Sequence, residues 1–218
     1  MTQKVIIFDF DGTIADTLDA LVTIANRLAR EFGYMQISAK ELKLLRNLTA
    51  RQIIKYSGVS LFKIPFLVKR VKGELKNKIK DLQPIPEIPE ALRELSNRGY
   101  KLGIITSNAQ ENVHEFLKCH QLDNLFEFVH SGVTIFGKNT IMSSVIKQRQ
   151  IKPQTVIYVG DETRDIEAAK KANLKVIAVT WGFNSPEALA RENPDFLIDH
   201  PRELLEAINH SFTEPSPN

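Results

Sequence analysis

Uninterrupted apolar runs alternate along this chain with stretches in which apolar positions recur every three or four residues. The runs are residues 4–10 (KVIIFDF), 101–107 (KLGIITS), 126–132, 155–161 (TVIYVGD), 175–181 (KVIAVTW) and 196–199. They are rich in β-branched residues and barely alternate with polar ones, the pattern of strands covered on both faces. Between them, residues 88–99, 109–122, 139–150 and 163–174 carry helical spacing, and Gly99 stands where the first of these helices would stop. Strand and helix in turn predict a parallel α/β sheet with right-handed crossovers. In such a sheet the ligand site lies at the carboxyl ends of the strands.

One segment breaks the alternation. Residues 15–84 hold no strand pattern, only helical stretches such as LDALVTIANRLAREFG (18–33) and LFKIPFLVKRVKGELKNKIKDL (61–82). QPIPEIP then returns the chain to the sheet, and its three prolines suit a hinge. The segment is expected to be a second, helical lobe standing over the end of the first strand. The division is then a core of residues 1–14 and 85–212, a helical lobe of 15–84, and a disordered tail of 213–218.

Composition narrows the setting. The 218 residues, 43% hydrophobic, suffice for one core with a small second lobe, and a formal charge of +3 is too weak to argue for a nucleic-acid partner. The excess is uneven, because residues 15–84 hold fourteen Lys and Arg against six Asp and Glu. Much of it falls in KRVKGELKNKIK (69–80), whose lysines surround the helix rather than forming a stripe, as on a solvated surface. No apolar run approaches the ~18 residues of a membrane span, and no signal sequence opens the chain. The single cysteine, Cys119, excludes an internal disulfide and fits a reducing cytoplasm. With Phe116, Leu117 and Leu122 as neighbours, it is expected to pack on a helix face.

The residues at the strand ends carry the chemistry. The first strand ends in Asp9-Phe10-Asp11-Gly12-Thr13 and the second in Thr106-Ser107-Asn108. Beyond the third lies Phe136-Gly137-Lys138, and the fourth ends in Gly160-Asp161-Glu162, with Asp165 four residues after Asp161. Carboxylates gathered at one point need a cation, and hard oxygen ligands select Mg²⁺ over zinc. A lysine and a hydroxyl-rich turn beside them suggest an anion, and the combination reads as phosphate chemistry. Strand alternation puts Asp9 and Asp11 on one face, so Asp9 can attack phosphorus while Asp11 handles the leaving-group proton. Gly12 is expected to let the chain turn and aim backbone N–H groups at the phosphoryl oxygens.

Asp9-Phe10-Asp11-Gly12-Thr13, Thr106, Lys138 and Gly160-Asp161 with Asp165, in that order, resemble the motifs of the haloacid dehalogenase superfamily. More narrowly, residues 4 to 200 resemble its phosphoglycolate-phosphatase-like members, which carry a helical cap after the first motif. The resemblance implies a Rossmann-like core with an inserted cap and a magnesium-dependent phosphatase acting on a small phosphorylated metabolite. It makes Asp9 the nucleophile that forms an aspartyl-phosphate, and Asp11 the general acid and then base. Thr106 would bond the phosphoryl group, with Gly12, Thr13, Ser107 and Asn108 beside it, and Lys138 would neutralise charge. The metal site would comprise Asp9, Asp161 and the Asp11 backbone carbonyl. Asp165 would complete it, through water, or orient Lys138.

Asp11 separates the branches of the superfamily, because the carbon-attacking dehalogenases lack an aspartate there. Cap loops of such enzymes reach over the substrate, so Arg46, just before a helix that Thr49 can cap, and Arg51 in its first turn are expected to bind substrate. Trp181 is expected to pack beside the site, and Glu162 to sit at a helix N-terminus. A sugar phosphomutase would use the same catalytic motifs. A non-catalytic module binding anions or nucleic acid through the basic cap is the alternative from another class.

Overall fold

A computed structural model describes residues 3–131 and 137–213. Its sheet has six parallel strands in the order β3-β2-β1-β4-β5-β6. These are β1 (Val5–Phe8), β2 (Lys101–Ile105), β3 (Phe126–His130), β4 (Val156–Gly160), β5 (Lys175–Val179) and β6 (Phe196–Ile198). All six expected strands are present, and most end one or two residues short of the apolar run. Residue 132, Phe136 and the tail from 214 lie outside the described residues.

The unbroken apolar runs follow from two cores, one on each face of the sheet. Ile6 and Phe8 face one side, under α5 (Ile88–Asn97), α6 (Gln110–Cys119) and α10 (Leu204–Thr213). Val5 and Ile7 face the other, under α7 (Lys138–Gln148), α8 (Thr163–Lys171) and α9 (Pro186–Arg191). With neither face wet, every position of β1 is apolar, and each such side chain contributes roughly 1.5–3 kcal/mol by its burial. In α6, Val113, Phe116 and Leu117 take the buried positions and Cys119 is exposed, contrary to the packing expected of it.

Residues 18–76 form α1 (Leu18–Phe32), α2 (Ala39–Leu45), α3 (Ala50–Ser57) and α4 (Ile64–Lys76), with a small core of Ile24, Leu28, Phe32 and Leu75. Gly33 closes α1 in the left-handed conformation (φ 78°), and Thr49 caps α3 through a reciprocal bond with Gln52. The 61–68 segment divides its residues: Leu61, Phe62 and Phe66 are exposed, whereas Ile64 and Leu67 face inward cavities. The chain leaves and re-enters the sheet side by side, with Ala15 bridged to Pro84. Asp16 N donates to Gln83 O and Ile85 N to Ile14 O, each at 2.9 Å. No helix among the described residues is long and apolar enough to cross a membrane.

Candidate active site

The strand order reverses at β1, whose neighbours are β2 and β4, so the residues that follow these three strands meet at one crevice. Asp9 continues the β1 ladder by donating its N–H to Val159 O at 2.8 Å, and its Oδ1 accepts from Phe10 N at 2.8 Å. Its Oδ2 lies 2.7 Å from the Lys138 ammonium, which also bonds Asp165 Oδ1 at 2.5 Å. All three residues are buried. Burial works against the charge on Lys138, but Asp165 and then Asp9 outweigh it and hold the ammonium above its ordinary range.

Asp9, Asp161 and Asp165 each bring an oxygen within 4.8 Å of the others. Asp161 accepts from Thr13 Oγ1 and from Phe183 N, both at 2.7 Å. Burial, then Glu162, Asp9 and Asp165, push its carboxyl well above the usual range. Three buried carboxylates thus face one ammonium, and hard oxygens short of positive charge are a donor set that fits Mg²⁺. The Asp11 carboxylate is outside this cluster. Asn108 Nδ2 holds both its oxygens, at 3.0 and 3.1 Å, and burial, with Asp9 beside it, pushes its carboxyl up to about 7.

Several residues expected to bind ligand have protein partners in this structure. The Gly12 N–H donates to Ala15 O at 2.9 Å, within the loop itself. Gly12 is required for another reason: at φ +75° a Cβ would overlap the Asp161 carboxylate. Thr13 spends its hydroxyl on Asp161, and its carbonyl accepts from Trp181 Nε1 at 3.2 Å, so Trp181 buttresses the loop as well as packing there. Thr106 is fully buried, and its Oγ1 accepts from Asn108 N at 3.0 Å. Asn108 positions Asp11, as described above. Ser107 lines a cavity of about 310 Å³ between α4 and the sheet, together with Asp11, Asn108, Glu162 and Arg164.

Arg46 is the main departure. Its Nε donates to Phe183 O at 2.9 Å and its Nη2 to Gly182 O at 3.0 Å, so two arms of the fork bind the loop after β5. The loop reciprocates. Ser185 N and Asn184 Nδ2 donate to Arg46 O at 2.8 and 2.9 Å, Asn184 Nδ2 also reaches Leu48 O, and Ser185 Oγ donates to Asn47 Oδ1. Arg51 lines a separate depression beside Lys138, Thr163 and Lys171. Asp165 Oδ2 accepts from Glu162 N at 3.1 Å at the start of α8, and Glu162 pairs with Arg164. Asp165 therefore both steers Lys138 and belongs to the carboxylate cluster.

Sequence reasoning passed over the 182–184 loop because Gly182 and Phe183 work by backbone. Phe183 supplies an N–H to Asp161, and Gly182 supplies room, since a Cβ there would overlap the same carboxylate. Arg164 was missed as well, although its position between Asp161 and Asp165 was a usable signal.

A buried carboxylate cluster held by one lysine at the turning point of a parallel sheet defines an α/β enzyme. Its family follows from comparison with known proteins: the chain belongs to the haloacid dehalogenase-like hydrolases, whose family model matches residues 6–179. It is 39% identical over 206 residues to a phosphoglycolate phosphatase of Synechococcus elongatus, covering 94% of this chain and 97% of that one. A phosphoglycolate phosphatase of Aquifex aeolicus is 26% identical over 215 residues, covering 97% and 100% of the two chains. The fold matches that of a haloacid dehalogenase-like hydrolase from Streptococcus pneumoniae, with a TM-score of 0.78 at 23% identity over 94% of this chain and 97% of that one.

Proposed function

We propose that this phosphoric monoester hydrolase works through a phosphorylated Asp9 and acts on phosphoglycolate or a close analogue. The observation that carries the reading is the Lys138 ammonium between Asp9 and Asp165, at 2.7 and 2.5 Å in a buried site. It sets a positive charge against the Asp9 carboxylate, where it orients the attacking oxygen and offsets the charge that gathers as phosphorus is attacked. The substrate is taken from the two phosphatase relatives and from Asp11, which suits an oxygen leaving group.

In the first step an Asp9 oxygen bonds to phosphorus as the bond to the ester oxygen breaks, and Asp11 gives that oxygen its proton. A carboxyl pushed up to about 7 retains enough proton for this near neutrality, and Asn108 fixes its direction. In the second step Asp11 takes a proton from water, the water oxygen bonds to phosphorus, and the bond to Asp9 breaks. Lys138 offsets charge on Asp9 and the phosphoryl oxygens throughout. Asp9 and Asp161, with Asp165 and the Asp11 carbonyl, would hold Mg²⁺, which supplies further positive charge against the phosphoryl group. Residues 15–84 act as a cap that closes over the site and excludes water. The single cysteine, exposed at Cys119, suits the reducing cytoplasm.

The test is inorganic phosphate release from 2-phosphoglycolate by wild type and Asp9→Asn, with and without Mg²⁺. Release that stops on chelation and falls about 10³-fold or more in the variant is expected. Release indifferent to Asp9→Asn would remove the nucleophile from this reading.

A further inference from the structure

The cavity beside Asp11 is where a leaving group would extend, because Asp11 is the residue that protonates it. Its two walls differ in chemistry. The sheet side offers Asp11, Ser107, Asn108, Glu162 and Arg164. On the cap side every lining residue is apolar except Lys72. Helix α4 shows how this lysine comes to face inward. Ile64, Leu67, Val68 and Val71, half-buried, and Leu75, buried, line the cavity at helical spacing, and Lys72, four residues after Val68, is the one charged residue of α4 among them.

That placement is costly as it stands. Lys72 is half-buried, and its loss of hydration lowers its proton affinity, with Asp11 pulling it back up and Arg164 adding to the fall. Among the described residues, no side chain bonds its ammonium. Opposite it, Arg164 pairs with Glu162 through Nη2, while its Nε is buried without a partner. Two cations thus face one small space and repel each other across it, beside the Asp11 carboxyl group. A desolvated cation without a partner is tolerated where a ligand supplies the partner.

We propose that Lys72 and Arg164 together bind a carboxylate on the leaving group, so that Lys72 is the cap residue that selects the substrate. The inference rests on the phosphatase reading above and adds the residues that recognise the carboxylate of its substrate. The substrate is a phosphate ester bearing a carboxylate within a carbon or two of the ester oxygen and few hydroxyls, because the cap wall has no other group to bond them. Polyhydroxylated sugar phosphates meet an apolar wall here and are disfavoured.

The experiment compares kcat/KM for 2-phosphoglycolate and ethyl phosphate, which has the same two carbons and no carboxylate, in wild type, Lys72→Met and Lys72→Arg. 4-Nitrophenyl phosphate serves as a general check of turnover. The ratio of the two esters on one sample does not depend on how much of the protein is folded. Wild type is expected to prefer 2-phosphoglycolate, and Lys72→Met to reduce that preference about 10- to 100-fold, the worth of one charged hydrogen bond. Lys72→Arg is expected to retain most of the preference. No release from any of the three esters would refute the phosphatase reading and the inference with it. Turnover with no wild-type preference for 2-phosphoglycolate, or a preference that survives Lys72→Met, would overturn the inference alone.

Discussion

Replacing Arg46 with alanine removes the donors that reach Phe183 O at 2.9 Å and Gly182 O at 3.0 Å. Hydrogen bonds from a charged donor contribute roughly 1.5–3 kcal/mol each when sheltered. Arg46 is only half-buried, so water recovers much of that, and a total loss of about 2 kcal/mol is expected. For a chain of this size that lowers Tm by roughly 4–8 °C. Arg46→Lys keeps the charge but lacks the fork that reaches both carbonyls, and should fall between. The consequence for turnover passes through the loop, because Phe183 N also donates to Asp161 Oδ2 at 2.7 Å. Loosening the loop displaces Asp161 whatever the substrate, so kcat/KM should fall by a similar factor for 2-phosphoglycolate and 4-nitrophenyl phosphate. Differential scanning calorimetry and steady-state kinetics on both esters make the check. An unchanged Tm with a higher KM for 2-phosphoglycolate alone would mean that Arg46 reaches substrate and the reasoning is wrong.

Two further outcomes follow from the site. Gly12→Ala meets both a φ of +75° and the Asp161 carboxylate, whereas Gly33→Ala meets a φ of +78° with nothing within 4 Å. The second should cost about 1 kcal/mol in a denaturant titration and the first distinctly more, with weaker Mg²⁺ binding by calorimetry; equal costs would show that the Asp161 loop yields. Lys138→Met leaves the buried Asp9 and Asp165 carboxylates without their ammonium and should cost roughly 3–5 kcal/mol. Millimolar Mg²⁺ should then raise the variant's Tm more than the wild type's, and an equal rise would count against the metal site drawn above.

The two-faced burial of the sheet made its strands readable, since an apolar run with no polar interruption fits a strand covered on both sides and little else. Their carboxyl ends were overestimated because the runs extend into the catalytic-loop segments: Asp9 and Thr106 each make one more backbone bond across the sheet, and beyond them side-chain bonds to Phe10 N and Asn108 N take over. The short helices α2 and α9 carried their own signals in the capping residues Ser38 and Ser185, but six or seven residues give too little periodicity to see. Asp9, Asp161, Asp165 and Lys138 were legible because charged groups beside apolar strands demand a reason. The side-chain partners of Thr13 and Asn108, Asp161 and Asp11, were not legible, because a motif locates a residue without saying which neighbour uses its hydrogen bonds. Arg46 shows the same limit across 136 residues of sequence, its fork occupied by carbonyls that any residue could supply. Lys72 was hidden among many cap lysines, and only its register against Val68 and Leu75 distinguishes it.

The paired crossings at Ala15 and Pro84 mean that the ends of the intervening segment lie next to each other. A stretch of chain with adjacent ends can be lifted out and another spliced in without disturbing a single rung of the sheet. On the reading proposed above, the attacking carboxylate and the wall that chooses its reactant reside on separately replaceable pieces, and exchanging residues 15–84 is expected to give a new substrate with the old chemistry intact. One condition limits such grafts. The incoming piece must supply its own grip on the 182–185 loop in place of Arg46 and Asn47, or Asp161 loses support along with the discarded lobe.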